Sequence, residues 1–136
     1  MLRIVGVLIA LCGALTVLPL SAQAQSTASP EAEARAAFVK LIDSAKKRDV
    51  AQFKTLIASA DLREMEAMDQ SKAGFFDMMM GVLAPTDPKQ FTADVQPTRV
   101  IFSRKVVTDK PDQKSTERTA FTMVREGTQW KFGKPR

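Results

Sequence analysis

FTMVREGTQWKF, residues 121–132, decides the fold. Phe121 and Met123 alternate with Thr122 and Val124; after Glu126-Gly127, Trp130 and Phe132 alternate with Gln129 and Lys131. Period-two alternation on both sides of a glycine marks an antiparallel hairpin. Gly127 supplies the left-handed backbone angle that a tight turn needs. Trp130 and Phe132 share one side of the closing strand, and if it closes the meander Phe121 and Met123 can supply their cross-strand partners.

Further strands lie upstream. Thr98 to Val107 is rich in β-branched residues, with Val100, Phe102 and Val106 at alternating positions. Asp109-Lys110-Pro111-Asp112 forms a turn, and Ser115 to Arg125 is the next strand, with Thr119, Phe121 and Met123 toward a core. A shorter strand spans Phe91 to Gln96, ended by Pro97. Before it the period changes. Ser29-Pro30-Glu31 opens a helix with an N-cap, a first-turn proline and an acid. Ala34, Phe38, Leu41, Ile42 and Ala45 form its apolar face. Asp49 caps a second helix carrying Val50, Phe53, Leu56 and Ile57; Asp61 starts a third with Leu62, Met65 and Met68. A fourth apolar run covers Phe75, Met78, Met79, Val82 and Leu83, with Gly81 weakening its end, and Pro85 to Pro88 stop all helix. Helices first and an antiparallel meander after them give an α+β class: N-terminal helices packed on one face of a curved antiparallel sheet.

Two stretches resemble the nuclear-transport-factor-2-like (cystatin-like) superfamily. Ala37-Phe38 followed by Lys47-Arg48-Asp49-Val50-Ala51-Gln52-Phe53 is similar to its helix–turn–helix opening, and residues 121–132 to its terminal hairpin with a buried Trp. The resemblance implies a scaffold rather than an activity, because isomerases, dehydratases, ligand binders and interaction modules share it. Members commonly enclose a cone-shaped cavity. Many also place a strand pair between the second and third long helices, and no strand is predicted there in this chain.

The N-terminus reads as an export signal at residues 1–24. Arg3 gives a basic start, Ile4 to Leu18 is uncharged, and Ala22-Gln23-Ala24 is a small-x-small cleavage pattern. Fifteen apolar residues span about 22 Å, short of a ~30 Å hydrocarbon core. Leu11 before Cys12 does not fit a lipid-attachment site. Residues 25–30 are a polar tail, and 31–136 form a single domain of a size that folds without staples. The product is expected in the periplasm or outside the cell, without a membrane span.

Composition then removes chemistries. The 136 residues hold no His and no Tyr, and the one Cys is Cys12. A disulfide framework, a Cys/His zinc site and any His-dependent triad are excluded. The methionines, with Met65 and Met68 three apart, admit a soft Cu(I) site, but core packing accounts for them better. Asp61, Glu64, Glu66 and Asp69 with Arg63 read as a solvated helix face. Asp43 and Asp49 are the lone acids best suited to a cavity, Asp49 being better explained as a cap. Residues 25–84 carry eight Lys and Arg against nine Asp and Glu, whereas 85–136 carry eleven against six. The basic half displays Lys105, Lys110, Lys114, Arg118, Lys131 and Lys134, a pattern that suits an acidic protein or simply guards exposed strand edges. No aromatic-plus-basic motif for nucleic acid is present.

The function expected from the sequence is an exported, non-catalytic binding or scaffold domain. Phe38, Phe76, Met79, Phe102, Phe121, Met123 and Trp130 would line a site for a small apolar ligand, with no metal or cofactor. The alternatives are an isomerase- or dehydratase-type enzyme using one buried acid, and an interaction module docking through its basic sheet face onto an acidic envelope protein. The exported product should begin at Gln25; its intact mass checks this, and a full-length mass or a lipid adduct on Cys12 would refute it.

Overall fold

The computed structural model describes residues 28–136. The leader at residues 1–24, Cys12 within it and residues 25–27 of the tail lie outside these. Four helices come first: α1 (Pro30–Lys46), α2 (Val50–Thr55), α3 (Ser59–Ser71) and α4 (Phe75–Leu83). A 3-10 turn at Pro88–Gln90 leads into β1 (Thr92–Val95), β2 (Arg99–Lys110), β3 (Gln113–Glu126) and β4 (Gln129–Phe132). The strands form one antiparallel sheet in the order β1-β2-β3-β4, so the class is α+β with the helices on one face.

Local chemistry sets most boundaries. Ser29 accepts a hydrogen bond from the Ala32 N–H, Pro30 occupies the first turn, and Glu31 and Glu33 meet the positive end of the α1 dipole. Asp49 caps α2 by accepting from the Gln52 N–H. Both hairpin turns hold two residues, Pro111-Asp112 and Gly127-Thr128, so β2 and β3 run further toward their tip than the turn-forming residues 109–112 imply. Gly127 has φ +62°.

The α1 face is buried as its periodicity predicts, and it meets the sheet through aromatic rings. Phe38 lies parallel to Phe102 with ring centroids 4.9 Å apart. Phe91 meets it edge-on at 5.7 Å, and Phe121 lies tilted against it at 5.4 Å. Ala34, Ile42, Val100, Met123 and Trp130 complete this cluster. A second cluster joins Leu41 and Ala45 to Phe53, Ile57, Phe76, Met80 and Leu83. Phe121 and Phe132 touch both clusters and make one continuous core.

Three expectations need correction. The fourth helix buries Phe76, Met80 and Leu83, while Met78 and Val82 face solvent. A run that is apolar all round has no period from which to read its phase. It also continues through Gly81 to Leu83. Val50 and Met68, assigned to apolar faces, are exposed. The third helix starts at Ser59, not at Asp61, because its cap comes from another element. Glu126 on β3 accepts from the Ser59 N–H at 2.8 Å and from the Ser59 hydroxyl.

Trp130 is 6% exposed, and its indole N–H donates to Glu33 Oε2 on α1 at 3.2 Å. The Arg125 guanidinium lies 5.6 Å from the centre of its ring. Trp130→Ala is expected to cost about 3–5 kcal/mol through lost area and a cavity. Denaturant melts measure the loss. Wild-type emission from this single tryptophan should be blue-shifted and resist quenchers; red, freely quenched emission would contradict the burial.

Candidate functional site

The seven residues expected to line an apolar ligand site fill the core. Phe38, Phe102 and Met123 are fully buried and, with Trp130 and half-buried Phe121, belong to the first cluster. Phe76 and half-buried Met79 belong to the second. The structure therefore splits the set between two clusters that Phe121 bridges. Trp130 also walls an open cleft of about 460 Å³ with Glu33, Ala37 and Lys40. Met79 walls another of about 320 Å³ with Met65, Phe132 and Asp61. Met80 and Met123 are core residues, and Met78 points outward.

The acid that matters is one the sequence assigned to a solvated face. Asp61 is 3% exposed. Its Oδ2 accepts from the Lys134 backbone N–H at 3.3 Å, and its Oδ1 lies 3.5 Å from Arg136 Nη2. Glu64, one turn on, pairs with Arg136 at 2.9 Å and Lys134 at 3.3 Å. These acids tie the C-terminal residues to α3. The backbone takes part, since the Phe132 N–H donates to Leu56 O and the Ala58 N–H donates to Phe132 O, both at 2.8 Å. Gly133 makes the approach feasible. A β-carbon there would stand 2.9 Å from Ala58 Cβ and closer still to Asp61 Oδ2. Asp43, the other acid considered for a cavity, is exposed, and Asp49 is a cap. Among the described residues, no three His, Cys, Asp or Glu side chains are grouped to hold a metal ion.

An open cleft of about 230 Å³ adjoins Asp61, bordered by Thr98, Arg99, Arg125, Glu126, Lys134 and Arg136. Its charges have partners, most of them outside the cleft: Arg99 donates to Gln96 Oε1, Arg125 lies 3.9 Å from Glu33, and Lys134 and Arg136 pair with Glu64. Arg136, then Lys134, hold the Glu64 carboxyl below its ordinary value through hydrogen bonds, and Glu64 in turn raises Arg136. The Ser59 hydroxyl and N–H do the same for the Glu126 carboxyl.

The most unusual feature is the β2–β3 hairpin. β1 pairs only with residues 100–103 of β2, and β4 only with 123–126 of β3. The ladder continues for seven more pairs, Arg104↔Thr119 to Lys110↔Gln113. At 3.4 Å per residue this is a two-stranded arm about 24 Å long. Residues 113–120 are all exposed. Alternation puts Lys105, Val107, Lys114, Thr116 and Arg118 on the face turned away from the helices, with Asp109 as the acid among them. Lys105 stands directly opposite Arg118. Like charges at that position destabilise a ladder. Of the sequence's basic set, Lys110 falls on the other face, Lys134 is paired with Glu64, and Lys131 lies 3.9 Å from Glu126. Sequence reasoning found these cations, yet not the arm whose outward face gathers three of them. Its only sequence signal is two strands longer than their outer neighbours.

No helix among the described residues is long and apolar enough to cross a membrane. No family model matches the chain, and no match is found among curated proteins or solved structures.

The Glu126 cap yields a pH dependence. A carboxyl with a depressed folded pKa contributes its full stability above its ordinary value, here 4.5, and loses it as pH falls through the depressed value. Thermal midpoints should therefore drop on acidification below about pH 4.5. Glu126→Gln should start lower at neutral pH and fall less steeply, Glu64 supplying the residual slope. An unchanged acid slope in the variant would remove Glu126 from this role.

Proposed function

We propose that the chain is an exported, non-catalytic interaction domain that docks an acidic envelope protein on the outward face of its β2–β3 arm. The observation that carries this reading is the uncompensated pair Lys105 and Arg118, held opposite each other on a ribbon that neither the helices nor β1 and β4 cover. A partner carboxylate between them converts a local cost into an attraction. Lys114 extends the same row, with Asp109 opposite it. Exposed Val107 adds an apolar contact at its centre.

The other features favour binding over turnover. The chain has no His or Tyr to serve as general base. Its one buried carboxylate among the described residues, Asp61, holds the Lys134 N–H through Oδ2, and its Oδ1, which accepts no hydrogen bond, lies 3.5 Å from Arg136 Nη2 in the C-terminal segment. The aromatic residues that would line a ligand cone stack on one another instead. Export rests on the leader, and the scaffold on the likeness of the opening helices and terminal hairpin to the superfamily named above.

The test uses a labelled poly-glutamate peptide, with a poly-glutamine peptide and phosphatidylglycerol vesicles as competitors. Wild-type protein should bind poly-glutamate with an affinity that falls as salt rises. Arg118→Glu, which sets an acid opposite Lys105, should weaken it by about tenfold or more without lowering the thermal midpoint. Equal binding by the variant, or preference for vesicles or poly-glutamine, would overturn the reading.

A further inference from the structure

The free edge of β2 carries a pattern complementary to itself. The Gln96 N–H donates to Arg99 O at 2.9 Å, and Thr92 Oγ1 donates to Ser103 O at 3.2 Å. Odd-numbered peptide groups of β2 therefore face β1, while even-numbered ones face β3. Beyond Ser103 there is no β1 to meet them. The N–H and C=O groups of Lys105, Val107 and Asp109 thus point from an open edge. Neither a proline nor a bulge interrupts residues 104–110, so two common devices that blunt an edge are absent.

We propose that this edge pairs, antiparallel, with the same edge of a second copy of the chain, with Val107 on the twofold axis. In that register Lys105 stands opposite the partner subunit's Asp109, and Asp109 opposite the partner subunit's Lys105. Val107, 68% exposed in the single chain, meets its own symmetry mate. All three positions are odd-numbered, so each exchanges backbone hydrogen bonds in both directions, about six in total. Other registers are poorer. Centring on Lys105 or Asp109 opposes like charges; centring on Val106 or Thr108 opposes a charge to Val107. The pairing also relieves Lys105, which gains an acid on the side away from Arg118.

The free edge of β3 has no such pattern. Its outward-pointing groups belong to even-numbered residues, as the Gly133 N–H donating to Thr122 O at 3.1 Å shows. Pairing it with its copy about Thr116 sets Lys114 against Arg118. Of the arm's two edges only that of β2 favours its own kind, and the product is a four-stranded ribbon in the order β3-β2-β2-β3 with the two bodies at opposite ends. At both ends of the paired stretch Arg104 meets the partner subunit's Lys110, so the association is weak and reversible. It uses the edge of the arm rather than its face, and stands without the docking reading above.

Sedimentation velocity of the purified protein over a wide concentration range tests this. The wild type should show a concentration-dependent dimer. Val107→Pro removes only an N–H that points from the free edge, so the fold and melting should persist while dimerisation is lost. Lys105→Glu and Asp109→Lys should each weaken the dimer by about tenfold or more, and the double exchange should restore it to within about threefold of wild type. Lys105→Glu also faces Arg118 favourably, so its loss of dimer is not loss of the arm. A wild type that stays monomeric throughout, a dimer indifferent to Val107→Pro, or a double exchange that restores nothing would each overturn the proposal.

Discussion

Phe38 joins the two layers. Its ring lies flat on Phe102 and is flanked by Phe91 and Phe121, so one α1 side chain contacts the approach to β1 and the faces of β2 and β3. Burying rings of this size contributes roughly 1.5–3 kcal/mol each, with a further increment from the aromatic pairings. Arg35, one turn earlier, reinforces the junction. It donates to Pro88 O at 3.0 Å and to Phe91 O at 3.3 Å, and its guanidinium lies 4.9 Å from the centre of the Phe102 ring. Once α1 is fixed on the sheet, the same helix presents Leu41 and Ala45 to α2 and α4.

The second constraint is the closure of β4 against Leu56–Ala58. A parallel bridge, the Asp61 carboxylate and the missing β-carbon of Gly133 bring the chain's last strand onto the start of α3. Glu126 completes it by capping α3 from β3. This closure explains why β4 is short. After Phe132 the chain turns toward Asp61 instead of following β3, and the upper part of β3 is left without a neighbour. The anchoring that stabilises one end of the sheet thus leaves the arm bare at the other.

The roles proposed for the arm follow from its charges. A two-stranded ribbon beyond its supporting strands is marginal by itself. Setting Lys105 against Arg118 makes it more so. Such a cost is consistent with an element completed by something else, by an acidic surface across its face and by a second β2 along its edge. The two proposed modes are compatible, because edge pairing would keep both copies of Arg118 and Lys114 on an outward face.

The sequence by itself determined the order of elements, the inward faces of α1 and the terminal hairpin, and the exclusion of histidine, tyrosine and disulfide chemistry. These depend on local periodicity, capping and composition, which neighbours in sequence carry. It did not determine the phase of α4, where apolar residues on every side leave burial to whichever helix packs there. Nor did it reveal Asp61 as an anchor, since the partners of that carboxylate lie more than seventy residues away at Lys134 and Arg136. The cations of the candidate surface were legible, but their gathering was not. Only the register of β2 with β3, and the early ends of β1 and β4 beside them, set Lys105 opposite Arg118 and left the Lys105–Asp109 edge open. Pairing across strands is a long-range choice, made by the whole sheet as it closes on Phe38.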